Sequence, residues 1–257
     1  MALLAMAVYS TEENKKDECL RATLMSLKDT VDFRKHRLIL SVNAFTAATK
    51  YILEANSGII EGVIWNGKNL GTANAINKVW YDRRPEENAI KMDDDVYIHQ
   101  AGWVDDMEEA LRREPKIGQC GLKRKDCWEE PSRTDFYKSE LIMLPHKPGE
   151  RWLVAEKVNH VMGTCQMYSS ALLDKIGYLY QPGLYGFDDA LASARSQLAG
   201  FINVFLPYIE IEHIDEGKTP YQGWKERSSG ADMAAYNKTL ADYNSGRLSI
   251  YHNPFKQ

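Results

Sequence analysis

Short apolar runs alternate with amphipathic stretches through the first 122 residues. The apolar runs at 3–8, 38–42, 62–65, 89–92 and 117–122 have the length of buried strands. Between them, 14–27, 45–55, 71–80 and 100–112 read as helices. In the first of these, Cys19, Leu20, Leu24 and Leu27 recur at helical spacing and would form its buried face. Strand and helix in strict alternation is the signature of βα units around a mostly parallel sheet, an α/β fold.

The pattern changes in the second half. Residues 125–151 are polar, contain Pro131, Pro145 and Pro148, and hold no period. They read as a long loop with one short strand, a kind of segment that often carries function. A strand near 160–168, a helix over 170–176, a Gly/Pro segment at 181–186, a helix over 188–198 and an apolar strand at 201–207 follow. From Gly217 the chain is polar and aromatic, with a helical stretch near 232–243. No repeat or composition shift marks a boundary. The expectation is a single domain over 1–257, with a nucleotide-binding half (1–122), an acceptor and catalytic half (123–216) and a C-terminal tail (217–257).

Composition narrows the function classes. With 44% hydrophobic and 26% charged residues, the 257-residue chain is ordinary globular material. Its 32 basic and 36 acidic residues give a net charge of −4, which exerts no general pull on nucleic acid or anionic membrane. The run Lys123-Arg124-Lys125 is too short for a nucleic-acid footprint. Cys19, Cys120, Cys127 and Cys165 make no C-x-x-C pair, and scattered thiols fit a reducing, cytoplasmic setting. The apolar start, residues 1–8, is far shorter than the roughly 20 residues of a membrane-spanning helix and reads as a first strand.

Four local features carry candidate chemistry. In Met92-Asp93-Asp94-Asp95-Val96, three carboxylates sit where an apolar strand ends, the place where open α/β sheets bind ligands. Such a triplet is either a solvated turn capping the next helix or a site where a hard cation offsets the repulsion. Gly186-Phe187-Asp188-Asp189 opens a helix. Its acids either complement the helix dipole or supply a general base. His213 follows an apolar strand, as a structural residue or a metal ligand. In Asn69-Leu70-Gly71-Thr72-Ala73-Asn74-Ala75-Ile76-Asn77, small residues permit close helix packing and Asn69 can act as a cap. Each feature has an ordinary structural reading, but those readings do not predict the order and spacing of all four.

That order resembles the family-2 glycosyltransferases with the GT-A fold. Asn69, Gly71, Ala75 and Asn77 match the family's Asn-x-Gly…Ala-x-Asn helix. Asp93-Asp94-Asp95 looks like its D-x-D, and Asp188-Asp189 like its Glu-Asp pair. Arg195, Gly200 and the late His213 keep the family spacing. The likeness spans roughly residues 3–215. It departs at two places. Asn43 stands where the family has an acid thought to contact the donor base, and Tyr9-Ser10-Thr11 replaces Pro-x-Tyr-Asn, which loosens any base contact at Ser10 or Thr11.

The resemblance implies a GT-A-like single domain with an acceptor-side C-terminal region, a nucleotide-sugar donor (often UDP-linked), a hydroxyl acceptor such as a carbohydrate, and Mn²⁺ or Mg²⁺. It implies metal ligation by Asp95, Asp93 and His213. Donor contacts would come from Thr11, Asn43, Asn69, Gly71, Asn77, Asp93, Asp94 and Arg195. For inverting transfer, Asp189 would be the base and Asp188 the second choice. Trp128, Trp152 and Trp224 are candidates to stack on sugars or to pack. Two other readings stay open. A sugar-nucleotide nucleotidyltransferase would want a Gly-rich, Arg-bearing loop after the first strand, where this chain has Tyr9-Ser10-Thr11-Glu12-Glu13. A non-catalytic sugar- or metal-binding module would have no need of Asp188-Asp189.

Overall fold

A computed structural model describes residues 1–125, 140–215, 220–247 and 251, and within 220–244 the side chains of 223, 227 and 233–244. The first half is the expected βα series: β1 (Ala2–Tyr9), α1 (Asp17–Thr30), β2 (Arg37–Ala44), α2 (Ala47–Ala55), β3 (Gly62–Trp65), α3 (Thr72–Trp80) and β4 (Asn88–Met92). After the acidic turn come β5 (Val96–Ile98), α4 (Trp103–Arg113) and β6 (Ile117–Arg124). The second half holds β7 (Glu140–Met143), β8 (Val154–Val158), β9 (Cys165–Tyr168), α5 (Ser170–Ile176), α6 (Asp188–Leu198), β10 (Ile202–His213) and α7 (Pro220–Asn244).

These strands form one ten-stranded sheet in the order β3-β2-β1-β4-β9-β6-β10-β8-β7, with β5 paired to β10. Strands β3, β2, β1 and β4 are parallel, and β6 and β10 run the same way. Strand β9 runs against both neighbours. β1 is covered on both faces: Leu4, Met6 and Val8 join the cluster under α1 and α4, and Leu3 and Ala5 join the cluster with Ile76, Val79 and Trp80 of α3. A strand buried on both faces reads as an unbroken apolar run, which is why it was visible in the sequence. Leu20, Leu24 and Leu27 form the buried face of α1, each contributing about 1.5–3 kcal/mol; Cys19 lies at the rim of that face.

Several boundaries differ from expectation. Helix α1 begins at Asp17 because Thr11 and Asn14 exchange hydrogen bonds, Thr11 N–H to Asn14 Oδ1 at 2.9 Å and Asn14 N–H to Thr11 Oγ1 at 3.1 Å, which close the preceding turn. The strand expected near 160–168 starts only at Cys165, and a separate strand, β8, precedes it. β10 runs on to His213 because its far half finds a new partner, β5. Helix α7 is longer than the expected 232–243. Of the expected loop at 125–151, residues 126–139, with Cys127 and Trp128, lie outside the described residues, as does the side chain of Trp224.

Candidate active site

The strand order reverses at β1, whose two neighbours are β2 and β4. Ligands of open α/β sheets settle at such a switch point, outside the carboxyl ends of the strands. The acidic turn closes it: Tyr9 N–H, at the end of β1, donates to Asp94 Oδ2 at 3.2 Å. Asn43 ends β2 beside the start of α3. Its Oδ1 accepts from Leu70 N–H (3.2 Å) and Asn66 Nδ2 (3.0 Å), and its Nδ2 donates to the Gly71 carbonyl (3.3 Å). Asn69 Oδ1 accepts from Gly71 N–H at 2.9 Å. Gly71 has φ +77°, and a Cβ there would sit 2.9 Å from the Leu184 carbonyl oxygen, so both conformation and packing require glycine. Asn43 therefore holds the turn at 69–71 through all of its amide groups.

The β5–β10 pairing builds the other side. His213 stands opposite Val96 in that register, and Ile214 N–H donates to the Asp95 carbonyl at 2.9 Å. This brings His213 Nε2 within 3.4 Å of Asp95 Oδ2. Helix α1 supports β5 from behind: Thr23 Oγ1 accepts from Val96 N–H and Ser26 Oγ from Ile98 N–H. Lys16, at the start of α1, donates to Asp95 Oδ2 at 2.6 Å and also bonds Asp215. Burial alone would raise the Asp95 carboxyl, but His213 and then Lys16 outweigh it and hold Asp95 below the usual carboxylate range. Asp94 goes the other way, pushed up to about 7 by burial and by the neighbouring Asp95.

The acidic start of α6 faces this turn across one lysine. Lys91, in β4, is buried, with Nζ 2.7 Å from the Gly163 carbonyl, 3.2 Å from Asp188 Oδ2 and 3.6 Å from Asp93 Oδ1. Desolvation would strip its proton, but Asp188, Asp93 and Asp189 together keep it charged. Asp188 is buried against this ammonium, and burial raises its carboxyl above the ordinary value. Asp189 Oδ2 accepts from Gly163 N–H at 3.0 Å and lies 3.3 Å from His160 Nε2, while its Oδ1 accepts from Ala190 N–H. Against the effect of burial, His160 and Lys91 hold the Asp189 carboxyl at about 2.

The structure thus gathers Asn43, Asn69, Gly71, Asp93, Asp94, Asp95, Asp188, Asp189 and His213 along one edge, with Thr11 in the turn after β1. It places two other expected residues elsewhere. Arg195 is fully buried, and its guanidinium donates to the carbonyl of Tyr178 (2.8 Å) and to that of Ile176, the last residue of α5. Asn77 is also buried, its amide exchanging hydrogen bonds with the backbone of Leu179. Lys123, from the short basic run, is buried against Glu156 at 2.7 Å. Trp152 is exposed beside His146, with ring centroids 3.4 Å apart.

Sequence reasoning passed over Lys16, Lys91, His160 and Gly163. Only Lys91 left a usable signal, a charge inside the apolar run 89–92. A lysine there must be paired if the strand is central.

Whether the site suits a divalent cation turns on its donors. Among the described residues Asp95 Oδ1 is buried without a hydrogen-bond partner, and the carboxylate's other oxygen adjoins the His213 imidazole. Among the described residues, no three His, Cys, Asp or Glu side chains converge as a ready-made cage. Cations that serve nucleotides commonly take one or two carboxylates and fill their shell with phosphate oxygens and water. The Asp95–His213 pair fits that use.

Sheet order, switch point and acidic turn define a GT-A glycosyltransferase fold. The solved structures it resembles include the mannosyltransferase PcManGT from Pyrobaculum calidifontis in complex with GDP-Man and Mn²⁺, at 11% identity and TM-score 0.65, over 97% of this chain and 70% of that one. They also include residues 1–349 of S. aureus TarS, at 15% identity and TM-score 0.66, over 95% of this chain and 65% of that one. A third is GalNAc-T7 with UDP, GalNAc and Mn²⁺, at 13% identity and TM-score 0.60, over 95% of this chain and 54% of that one. At these identities the likeness is one of fold, and the chain spans about half to seven-tenths of the length of these proteins. No family model matches the chain, and no curated protein matches it by sequence. Among the described residues, no helix is long and apolar enough to cross a membrane.

Proposed function

We propose that this protein is a glycosyltransferase that moves a sugar from a nucleoside-diphosphate donor, UDP-linked as first choice, to an acceptor hydroxyl with inversion. One observation carries the reading: Lys91 Nζ stands 3.6 Å from Asp93 and 3.2 Å from Asp188, so the acidic turn and the acidic start of α6 face one another across a single charge. A solvated capping turn would have no reason to meet a second pair of acids. The solved structures of this fold with GDP-Man or UDP and Mn²⁺ support the same assignment.

In this reading the donor lies over the switch point, its base and ribose toward 9–11, Asn43, the turn at 69–71 and Asp93. Because Asn43 is committed to that turn, base recognition falls to backbone groups and neighbouring side chains. Asp95 and His213 would hold Mn²⁺ or Mg²⁺, the imidazole favouring Mn²⁺; when bound, the ion stabilises charge on the leaving diphosphate. Lys16 fixes the Asp95 carboxylate in its ionised form. The acceptor hydroxyl approaches from the α6 side, where Asp189 is partly exposed and Asp188 is turned inward.

The test is titration of the protein with UDP and GDP, with and without Mn²⁺, followed by hydrolysis of the matching nucleotide sugars. Nucleotide binding that requires the metal, and that is lost in Asp95→Ala, is the expected result. Equal binding by the variant would overturn the assignment.

A further inference from the structure

Helix α3 opens without a side chain of its own to cap it, because its N-cap is Gly71. A first-turn amide has no acceptor within its helix. That of Ala73 donates instead to Gln181 Oε1 at 3.1 Å, on a residue 108 positions further along the chain. The nitrogen of the same side chain, Gln181 Nε2, donates to the Gly186 carbonyl at 3.2 Å and stands 3.5 Å from Asp188 Oδ1. These partners fix which way the amide points: an N–H needs its oxygen and a carbonyl needs its nitrogen. One glutamine thus reaches from the start of α3, beside the turn at 69–71, to the acidic start of α6.

The chain around Gln181 is seated on the same support. Asn77 exchanges hydrogen bonds of 2.8 and 3.0 Å with the backbone of Leu179, and the Leu184 carbonyl lies against Gly71. The backbone then turns through two left-handed residues in succession, Gly186 (φ +81°) and Phe187 (φ +66°), before Asp188 begins α6. This conformation is strained for a phenylalanine and persists only where the surroundings impose it. Two contacts do so. Gln181 holds the Gly186 carbonyl, and the Phe187 ring stacks on Tyr236 of α7 with centroids 4.4 Å apart. The peptide between Gly186 and Phe187 sets the direction in which the two carboxylates leave the chain.

The geometry points to Gln181 as a positioning residue that sets Asp188 and Asp189 against the turn at 69–71. This rests on the transfer reading above and adds to it a direct link between the donor side and the acceptor side. Gln181 touches neither substrate; it acts through the acids and the turn. A displacement of about an ångström at a reacting group is enough to cost about 10²-fold in rate, so a link of this kind matters to turnover more than to binding.

Gln181→Glu separates the two arms. A carboxylate still accepts from Ala73 N–H, but it has no proton for the Gly186 carbonyl and adds a negative charge beside Asp188. The first readout is amide hydrogen exchange with and without saturating UDP and Mn²⁺, which needs no turnover. In the native protein the nucleotide should slow exchange both in 70–75 and in 187–191, and in Gln181→Glu only in 70–75. Gln181→Met, which lacks both arms, should likewise show no slowing in 187–191. A native protein slowed only in 70–75, or variants slowed in both segments as the native is, would overturn the proposal. In UDP-glucose hydrolysis, Gln181→Glu should keep KM within about threefold and lose about 10²-fold in kcat. Native kcat, a loss confined to KM, or a loss matched by the unfolded fraction in a melting curve would overturn it too, and each leaves the transferase reading standing. A native protein that binds neither UDP nor GDP with Mn²⁺ would take down that reading and this link with it.

Discussion

Lys16 and Asp95 meet with Nζ and Oδ2 2.6 Å apart, their side chains 4% and 7% exposed. A buried ion pair of this kind is costly to break from one side, because the remaining charge is left without a partner. Lys16→Met should therefore destabilise the metal-free protein by about 3–5 kcal/mol in urea unfolding. Mn²⁺ should recover part of that loss by supplying positive charge at the same carboxylate. If the variant unfolds at the native urea concentration, or gains nothing from Mn²⁺, Asp95 does not depend on Lys16 in this way.

Asp94 makes stability depend on pH in the opposite sense from a salt-bridged acid. Its carboxyl is pushed from 3.8 up to about 7, so between those values the folded chain keeps a proton that the unfolded chain has lost. Stability from this group is therefore present below about pH 4 and disappears as the pH rises through about 7. Asp94→Asn removes the dependence. In metal-free buffer the variant should melt higher than the native protein at pH 8, by about 2–4 °C for each kcal/mol, and the gain should shrink at pH 5. An equal gain at both pH values would contradict the assignment.

Gly163 is a tighter position than its sequence suggests. A Cβ there would lie 2.8 Å from Lys91 Nζ, which also meets Asp93 and Asp188, and 3.3 Å from Asp189 Oδ2, which also meets His160. Gly163→Ala should cost turnover more than stability, on the order of 10²-fold, since displacements of an ångström at a reacting centre suffice for that. Steady-state kinetics beside a melting curve would separate the two effects. A variant with native turnover would mean that the spacing of Lys91 and Asp189 is not critical.

Arg195 should behave as a structural residue. It donates to one carbonyl at the end of a seven-residue helix and one just beyond it, and is fully buried. Arg195→Met leaves the Tyr178 carbonyl without its arginine donor, while Ile176 keeps the Tyr251 N–H, and we expect a loss of about 1–3 kcal/mol with nucleotide affinity unchanged in the fraction that folds. Weaker UDP binding at full stability would return Arg195 to the donor site.

The sequence revealed what is local or doubly buried. β1, β2 and β4 stood out because their apolar runs need no partner to be recognised. The helices 170–176 and 188–198 stood out because Ser169 caps the first and Asp188-Asp189 open the second. The acidic turn and His213 were legible as chemistry because they follow apolar strands. β5 was not, because its three residues are strand only by pairing with Ile211–His213 and resting on Ser26. β8 was hidden because Glu156 and Lys157 interrupt its apolar pattern, although Glu156 is buried on Lys123. The same holds for Lys16 and His160: each gains its meaning from a carboxylate far away in the chain. The spacing of Arg195 could not show that its guanidinium is taken up by the carbonyls of Ile176 and Tyr178.

Because β9 runs against its neighbours, it enters the ligand edge where β4 and β6 leave it, and its Tyr168 end is anchored at the opposite edge beside Ala89 and Gln119. The stretch feeding into Cys165 is therefore tied to both acidic clusters at once: the Thr164 carbonyl accepts from Asp93 N–H, and Gly163 meets Lys91 and Asp189. A change in its length would reach both ends of the site while leaving the far end of β9 in register.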